Sequence, residues 1–152
     1  MPLIWLAIPG LFMLLAGGVT AVAYANGKAV GSIRLVTVDG LPVEEQTARQ
    51  FLAMRASAAR NGISLRLNSA FRTWTEQVRL YAMYLSGDGN LAARPGFSNH
   101  QNGIALDIDV RKSFYSPEYL WLKENAHRFG FVNTGKNFQQ PEPWHWERLH
   151  VV

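Results

Sequence analysis

Two short segments of the sequence constrain the fold most. Their polar side chains can form one site only if the fold brings the two segments together. The first is SNHQNGIALD, residues 98–107, and the second is EPWH, residues 142–145. Together they contain two imidazoles and two carboxylates, from His100, His145, Asp107 and Glu142. Catalytic zinc usually takes three protein ligands with nitrogen or oxygen donors and leaves its fourth position to water. The two segments therefore predict a metal site with one carboxylate to spare as a base.

The spacing of the acidic residues leaves some assignments open. Residues 104–110 alternate apolar with small or acidic side chains, which predicts a strand. Side chains two apart on a strand point to the same face, so Asp107 and Asp109 both qualify as ligands. The same alternation, if residues 144–147 are extended, makes Glu147 a rival to Glu142 as the base.

The pattern Ser-x-His-x-x-Gly-x-Ala-x-Asp followed by Glu-x-Trp-His resembles a family of zinc D-alanyl-D-alanine carboxypeptidases and dipeptidases. That family includes VanY-type and VanX-type enzymes and phage L-alanyl-D-glutamate endopeptidases, and the similarity extends over roughly residues 36–148. The resemblance implies a Zn2+ site with Glu142 as general base and, as ligands, His100, Asp107 and His145. Asp109 and Glu147 receive no role from it.

An upstream segment adds to the resemblance. Ser69-Ala70-Phe71-Arg72 is followed five residues later by Gln77, as in the family. The resemblance implies that Arg72 stabilises negative charge developing on the substrate, a role that suits the fixed charge and rigid fork of a guanidinium. It also implies that Gln77 and Ser98 contribute to substrate binding. On spacing alone, Arg72 could instead pair with Glu76, four residues on.

The activity implied by the resemblance is zinc-dependent hydrolysis of peptide bonds in peptidoglycan stem peptides. D-alanyl-D-alanine carboxypeptidase action is the first expectation, with L-alanyl-D-glutamate endopeptidase action as an alternative at the same kind of site. A zinc-containing cell-wall binding module without turnover is a second alternative. A pure binding module has no need of a base at the position of Glu142.

The N-terminal part of the chain is uncharged from Pro2 to Asn26, and the first charged side chain is Lys28. A stretch of this length can span a hydrocarbon core of about 30 Å as a helix. We therefore expect an apolar N-terminal helix over residues 1–27, followed by a peptidase domain over residues 28–152.

Three fates of this apolar segment are considered. A signal anchor is favoured, a signal peptide could be cut after Ala23-Tyr24-Ala25, and a weakly apolar helix could later leave the membrane, as in signal-arrest-release phage endolysins. Flanking charge opposes export, since Lys28 and Arg34 follow the segment and no basic residue precedes it. The expected location, a cell envelope with the domain facing the wall, therefore rests on the implied substrate.

Composition limits the remaining possibilities. With 152 residues, 48% hydrophobic and 17% charged, one compact domain is expected. The net charge of +4 is spread along the chain without clusters of basic and aromatic residues, which argues against nucleic acid and fits anionic wall polymers. There is no cysteine, so neither a disulfide nor a lipoprotein anchor is possible.

Periodicity and turn residues predict the elements and an α+β fold, a small, mostly antiparallel sheet flanked by helices with a zinc cleft. The predicted helices begin at Pro42, at Thr73 or Thr75, and at Pro117, and end near Arg60, Leu85 and Arg128. The predicted strands cover residues 32–38, 63–68, 104–110, 131–133 and 144–151, with the last two forming a hairpin. The long loop at residues 87–97 is a candidate for substrate selection.

Overall fold

The computed structural model describes residues 19–149, which form two antiparallel sheets and three α-helices. The strands are β1 (Val19–Ala25), β2 (Lys28–Val38), β3 (Leu41–Glu44), β4 (Leu67–Ser69), β5 (Ala105–Ile108), β6 (Phe131–Val132) and β7 (His145–Arg148). The helices are α1 (Glu45–Arg60), α2 (Trp74–Ser86) and α3 (Pro117–Asn125), with 3-10 turns at Ala126–Phe129 and Thr134–Asn137. The predicted α+β class with antiparallel pairing is confirmed, although the strands form two sheets instead of one.

The first sheet has the order β1-β2-β3 and is built from two hairpins. Asn26-Gly27 joins β1 to β2, and Asp39-Gly40 joins β2 to β3. All four residues have positive φ, between 52° and 78°. This is the backbone conformation of the two-residue turns that match the twist of paired strands, and Asn-Gly and Asp-Gly adopt it most readily.

The predicted apolar helix is wrong for residues 19–25, which form β1. This strand pairs with β2 from Val19 opposite Leu35 to Ala25 opposite Lys28. Pairing with β2 uses one edge of this strand, and the predicted boundary between residues 27 and 28 falls at the end of the Asn26-Gly27 turn. Among residues 19–149, no helix is long and apolar enough to cross a membrane. The rest of the predicted helix, residues 1–18, lies outside the described residues.

Helix α1 begins at Glu45, three residues later than predicted, because Pro42 belongs to β3 and pairs with Thr37. Glu44 caps the helix, since its carboxylate accepts hydrogen bonds from the backbone N–H groups of Gln46 and Thr47. The buried face of α1 includes Phe51 and Met54, which are fully buried. These side chains belong to the same core as the buried apolar residues of the second sheet, Leu67, Leu106, Ile108, Phe131 and Trp146.

The second sheet has the order β4-β5-β7-β6, with antiparallel neighbours throughout. The predicted strand at residues 63–68 is reduced to Leu67–Ser69, and β7 pairs with both β5 and β6. This register places Asp107 of β5 opposite His145 of β7, and also opposite Ser69 of β4. The sheet therefore brings the two polar segments of the sequence together at one end.

Candidate metal centre

The predicted ligands come from two adjacent strands and one loop. Asp107 and His145 face each other across β5 and β7. His100 lies in the loop before β5, and its backbone carbonyl accepts a hydrogen bond of 3.0 Å from the N–H of Arg72. One potential ligand atom from each of His100, Asp107 and His145 lies within 4.8 Å of the others. The structure thus assembles the three predicted ligands into a group that could hold a metal ion.

Asp107 lies between the two imidazoles. Its Oδ1 atom is 3.3 Å from Nε2 of His100 and 3.2 Å from Nδ1 of His145. Burial would raise the pKa of the Asp107 carboxyl, but the charge of His100 and hydrogen bonds from both imidazoles outweigh burial and hold this pKa well below its usual range. The carboxyl group of Asp107 is therefore negatively charged at neutral pH and could bind a metal ion.

In each imidazole the inner nitrogen faces Asp107 and the outer nitrogen faces away from it. Each outer nitrogen has its own hydrogen-bond partner. Nδ1 of His100 is 2.7 Å from the carbonyl oxygen of Ala70, and Nε2 of His145 is 2.8 Å from Oε1 of Glu147. When the N–H of each ring is directed outward, the inner nitrogen carries no proton and can donate its lone pair to a metal in place of a hydrogen bond to Asp107. Such outer contacts are typical of metal-binding histidines. The donor set of two nitrogens and one carboxylate oxygen fits Zn2+, and mixed nitrogen and oxygen donors also suit other divalent metals.

Protonation of His145 competes with metal binding. Burial alone would lower the pKa of this imidazole, but hydrogen bonds and charge from Asp107 and Glu147 raise it to about 9. A metal at Nδ1 must therefore displace a proton at neutral pH, which makes metal affinity dependent on pH.

Glu142 stands at the edge of the same group. Its Oε2 atom is 3.9 Å from Nδ1 of His145, and its side chain is partly exposed to the cleft. Burial raises the pKa of the Glu142 carboxyl and Asp107 adds to this, while the neighbouring histidines and Arg72 oppose it, so that the pKa is raised overall. A carboxylate placed in this way can exchange a proton with a water molecule in the cleft.

Gly135 is a site residue that the sequence analysis did not identify. Its carbonyl accepts the backbone N–H of Glu142 at 2.9 Å. A Cβ atom at this position would overlap the carbonyl oxygen of Glu142 and would lie 2.7 Å from Cβ of His145. Only glycine allows the loop to pass this close to both residues. The sequence signal was slight, a glycine within a polar loop.

Arg72 lies in the cleft wall with its guanidinium fixed by neutral partners. Nη1 donates to Oε1 of Gln77 at 2.9 Å, and Nη2 lies 3.3 Å from Oγ of Ser69. Glu76, the alternative partner on spacing, instead accepts hydrogen bonds from the backbone and hydroxyl of Thr73 and closes the N-terminal cap of α2.

The two predicted substrate-binding residues occupy different environments. Ser98 lines the cleft, and its Oγ accepts the backbone N–H of His100 at 3.3 Å. Gln77 is fully buried, with Oε1 used by Arg72 and Nε2 donating to the carbonyl of Ala93 at 2.7 Å. Gln77 thus connects Arg72 to the loop at residues 87–97.

The remaining acidic candidates also differ. Asp109 is exposed beyond the end of β5, where its Oδ1 accepts the backbone N–H of Arg111 in a turn. Glu147 lies on β7 two residues after His145 and contacts its ring. The prediction that residues two apart share a face therefore applies to β7 at this site, whereas β5 ends before Asp109.

The cleft at the three candidate ligands has a volume of about 1350 Å3. Most of the loop at residues 87–97 and all of residues 138–142 also line it. Arg72, Glu142 and the three candidate ligands all border this space. The cleft therefore offers room for a peptide that passes over the three candidate ligands.

The first sheet supports the loop that carries His100, a feature the sequence analysis did not predict. The N–H of Tyr24 in β1 donates to the carbonyl of Gln101 at 3.0 Å, and the N–H of Gly27 donates to the carbonyl of Gly96 at 3.0 Å. The ring of Tyr24 also packs on Trp74, with centroids 4.8 Å apart. The β1–β2 hairpin is thus part of the structure that holds the site.

Comparison with known families gives one match over most of the chain. Residues 41–149 match the family described as VanY: D-alanyl-D-alanine carboxypeptidase. This range begins at β3 and includes all the candidate ligands.

Curated relatives share parts of the sequence. A D-alanyl-D-alanine carboxypeptidase of Enterococcus faecium is 31% identical over 112 residues, covering 68% of this chain and 36% of the relative. The peptidoglycan L-alanyl-D-glutamate endopeptidase CwlK of Bacillus subtilis (strain 168) is 36% identical over 73 residues, covering 47% of this chain and 42% of the relative. The chain therefore matches less than half the length of either relative.

Solved structures share the fold at low sequence identity. A mutant of the vancomycin resistance D,D-pentapeptidase VanY, in complex with Zn(II), has a TM-score of 0.62 and 23% identity, covering 78% of this chain and 80% of the other. VanYB in complex with D-alanine-D-alanine has a TM-score of 0.65 and 22% identity, covering 86% of each chain.

Proposed function

Since the chain belongs to the VanY D-alanyl-D-alanine carboxypeptidase family, we propose that it is a zinc metallopeptidase that hydrolyses peptide bonds in peptidoglycan stem peptides. The observation that carries this proposal is the convergence of His100, Asp107 and His145 beside Glu142 and Arg72 in one cleft. The proposed location is the cell envelope, because that is where the substrate lies.

The three clustered residues would hold the zinc through Nε2 of His100, Nδ1 of His145 and the carboxylate of Asp107. When bound, zinc lowers the pKa of a coordinated water towards about 7 and polarises a carbonyl group. The Zn(II) complex of the VanY relative and the outward hydrogen bonds of both imidazoles support this assignment.

Glu142 is the proposed general base. Its carboxylate borders the cleft close to His145 and would take the proton of the attacking water, then pass it to the leaving amine. The raised pKa of Glu142 brings it nearer to neutral pH, where both proton transfers are balanced. Glutamine at this position would keep the shape and lose the base.

Arg72 is the proposed stabiliser of the oxyanion. Its guanidinium is held by Gln77 and Ser69, so the group is oriented before substrate binds. Donors fixed in this way act on charge that develops only near the transition state. Ser98 keeps its proposed role in binding substrate because it lines the cleft, whereas for Gln77 we propose positioning of Arg72 and the neighbouring loop.

The first candidate activity is removal of the terminal D-alanine from stem peptides. VanYB has been solved with D-alanine-D-alanine, and the open cleft of about 1350 Å3 can accept a peptide longer than a dipeptide. The second candidate is cleavage between L-alanine and D-glutamate, supported by the similarity to CwlK.

The experiment is mass spectrometry of purified muropeptides incubated with the full chain, with chelator-treated protein restored by zinc, and with Glu142→Gln. Loss of one alanine identifies the carboxypeptidase, and release of the stem peptide from its L-alanine identifies the endopeptidase. Cleavage should disappear with chelator, return with zinc and be absent in the variant. Zinc binding without any change in the muropeptides would instead indicate a binding module.

A further inference from the structure

We infer that Glu147 is a positioning residue, which orients the ring of His145 for the metal and connects it to the loop of His100 through Asn99. This inference rests on the proposed zinc site and adds to it. The family motif gives this carboxylate no role, and the inference replaces the role of general base that the spacing of the sequence left open.

The first observation is that one oxygen of Glu147 has two donors. Oε1 accepts from Nε2 of His145 at 2.8 Å and from Nδ2 of Asn99 at 2.9 Å. The side chains of Glu147 and His145 are 12% and 6% exposed, so water competes little for these hydrogen bonds. A buried hydrogen bond to a carboxylate is short and stronger than one between neutral groups.

The second observation is a difference between the two imidazoles. The outer nitrogen of His100 contacts a neutral backbone carbonyl, that of Ala70, whereas the outer nitrogen of His145 contacts a carboxylate. A carboxylate in this position fixes the tautomer and makes the imidazole a more basic ligand. His145 is therefore the ligand whose strength depends most on its neighbour.

The third observation is that Glu147 connects two pieces of chain that are far apart in sequence. Its backbone is held in β7, opposite Ala105 of β5 and Val132 of β6. Asn99 immediately precedes His100, and its carbonyl accepts the N–H of Ala105 at 3.2 Å. Through Asn99, a change at Glu147 would disturb the placement of both histidine ligands.

The same geometry distinguishes Glu147 from a general base. The imidazole of His145 separates Glu147 from Asp107, because Nε2 contacts one carboxylate and Nδ1 contacts the other. Glu142 lies on the Nδ1 side of that ring. Glu147 can therefore affect a bound metal through the ring of His145, whose Nδ1 would be the ligand atom.

The test compares zinc affinity, measured by competition with a chromogenic chelator, in the full chain and in Glu147→Gln, Glu147→Ala and Asp109→Asn. Asp109 is the matched control, since it also follows a ligand by two residues but contacts only a turn. We expect about 10-fold weaker zinc binding for Glu147→Gln and up to about 100-fold for Glu147→Ala, the range usual for such partners. Asp109→Asn should keep the wild-type affinity.

Turnover at saturating zinc completes the test. Glu147→Gln should then regain most of the wild-type rate, whereas Glu142→Gln should stay inactive. Unchanged zinc affinity in both Glu147 variants, with their fold confirmed by circular dichroism, would overturn the inference, and so would loss of turnover by Glu147→Gln at saturating zinc. Because the affinities are measured without substrate, a wild-type chain that binds zinc but cleaves nothing would contradict the proposed function alone.

Discussion

Arg72 is oriented by its own neighbours, and this gives a prediction at the scale of a single residue. Lysine would keep the charge but lose the rigid fork held by Gln77 and Ser69. We expect Arg72→Lys to lower kcat by about 100- to 1000-fold, the effect of losing one oxyanion donor, with zinc affinity unchanged. Steady-state kinetics with a muropeptide and chelator competition measure the two quantities. Arg79→Lys, on the exposed side of α2, is the control, and wild-type turnover in Arg72→Lys would refute the role.

Asp39 gives a prediction about pH. Burial raises the pKa of its carboxyl, but the N–H of Leu67 and the guanidinium of Arg55 outweigh burial and hold this pKa below its usual range. A lowered pKa means that the charged form stabilises the fold above about pH 4, and that this contribution is lost as the pH falls through the folded-state value.

The substitution Asp39→Asn should therefore destabilise the chain at pH 7 and have a smaller effect near pH 3. Asparagine tolerates the positive φ of 53° at this turn, so the change tests the charge and not the backbone. Thermal unfolding of metal-free protein at the two pH values measures the difference. A gap between wild type and variant that is equal at both pH values would contradict the prediction.

At the scale of elements, the β1–β2 hairpin joins the fold to the metal loop. Deleting residues 1–25 removes β1, including the buried Ala23 and the hydrogen bond from Tyr24 to Gln101. Several backbone hydrogen bonds at about 0.5–1.5 kcal/mol each suggest a loss of at least about 2 kcal/mol. For a chain of this size that corresponds to a fall in Tm of about 4–8 °C.

Zinc affinity should fall in the same variant, because the loop of His100 loses part of its support. Deleting residues 1–18 keeps β1 and is the matched control. Calorimetry and chelator competition measure both effects. Equal stability of the two deletion variants would show that β1 contributes nothing to the domain.

The elements also show what a sequence alone can indicate. The candidate metal site could be predicted because residues 98–107 and 142–145 keep the order and internal spacing of the family motif. β1 was misassigned because lack of charge dominated the interpretation, although Val19, Thr20, Val22 and Tyr24 favour strands and Asn26-Gly27 is a strong hairpin signal. The roles of Glu147, Asn99 and Gly135 could not be predicted, since their contacts depend on strand register and on the path of a loop.

At the scale of the whole molecule, the proposed metal would add a link between the loop of His100 and strands β5 and β7. There is no cysteine, so no disulfide joins the loop of His100 to β5 and β7. A ligand that binds only the folded state stabilises it by about 2.7 kcal/mol when its free concentration is 100 times Kd. Zinc at that concentration should therefore raise Tm by about 5–11 °C.

Differential scanning calorimetry with and without zinc checks this expectation. His100→Ala should abolish the shift, whereas His127→Ala, which replaces an exposed histidine outside the candidate ligands, should keep it. A zinc-induced shift that survives His100→Ala would place the metal elsewhere.

The position of β1 also bears on the cleavage considered after Ala25. The peptide bond after Ala25 lies at the end of β1, next to the turn that closes the hairpin, with Ala23 buried and Tyr24 bonded to the ligand loop. A domain cut at that bond would lack β1 and the hydrogen bond from Tyr24 to Gln101. The candidate cleavage site thus coincides with the end of a strand that supports the loop of His100.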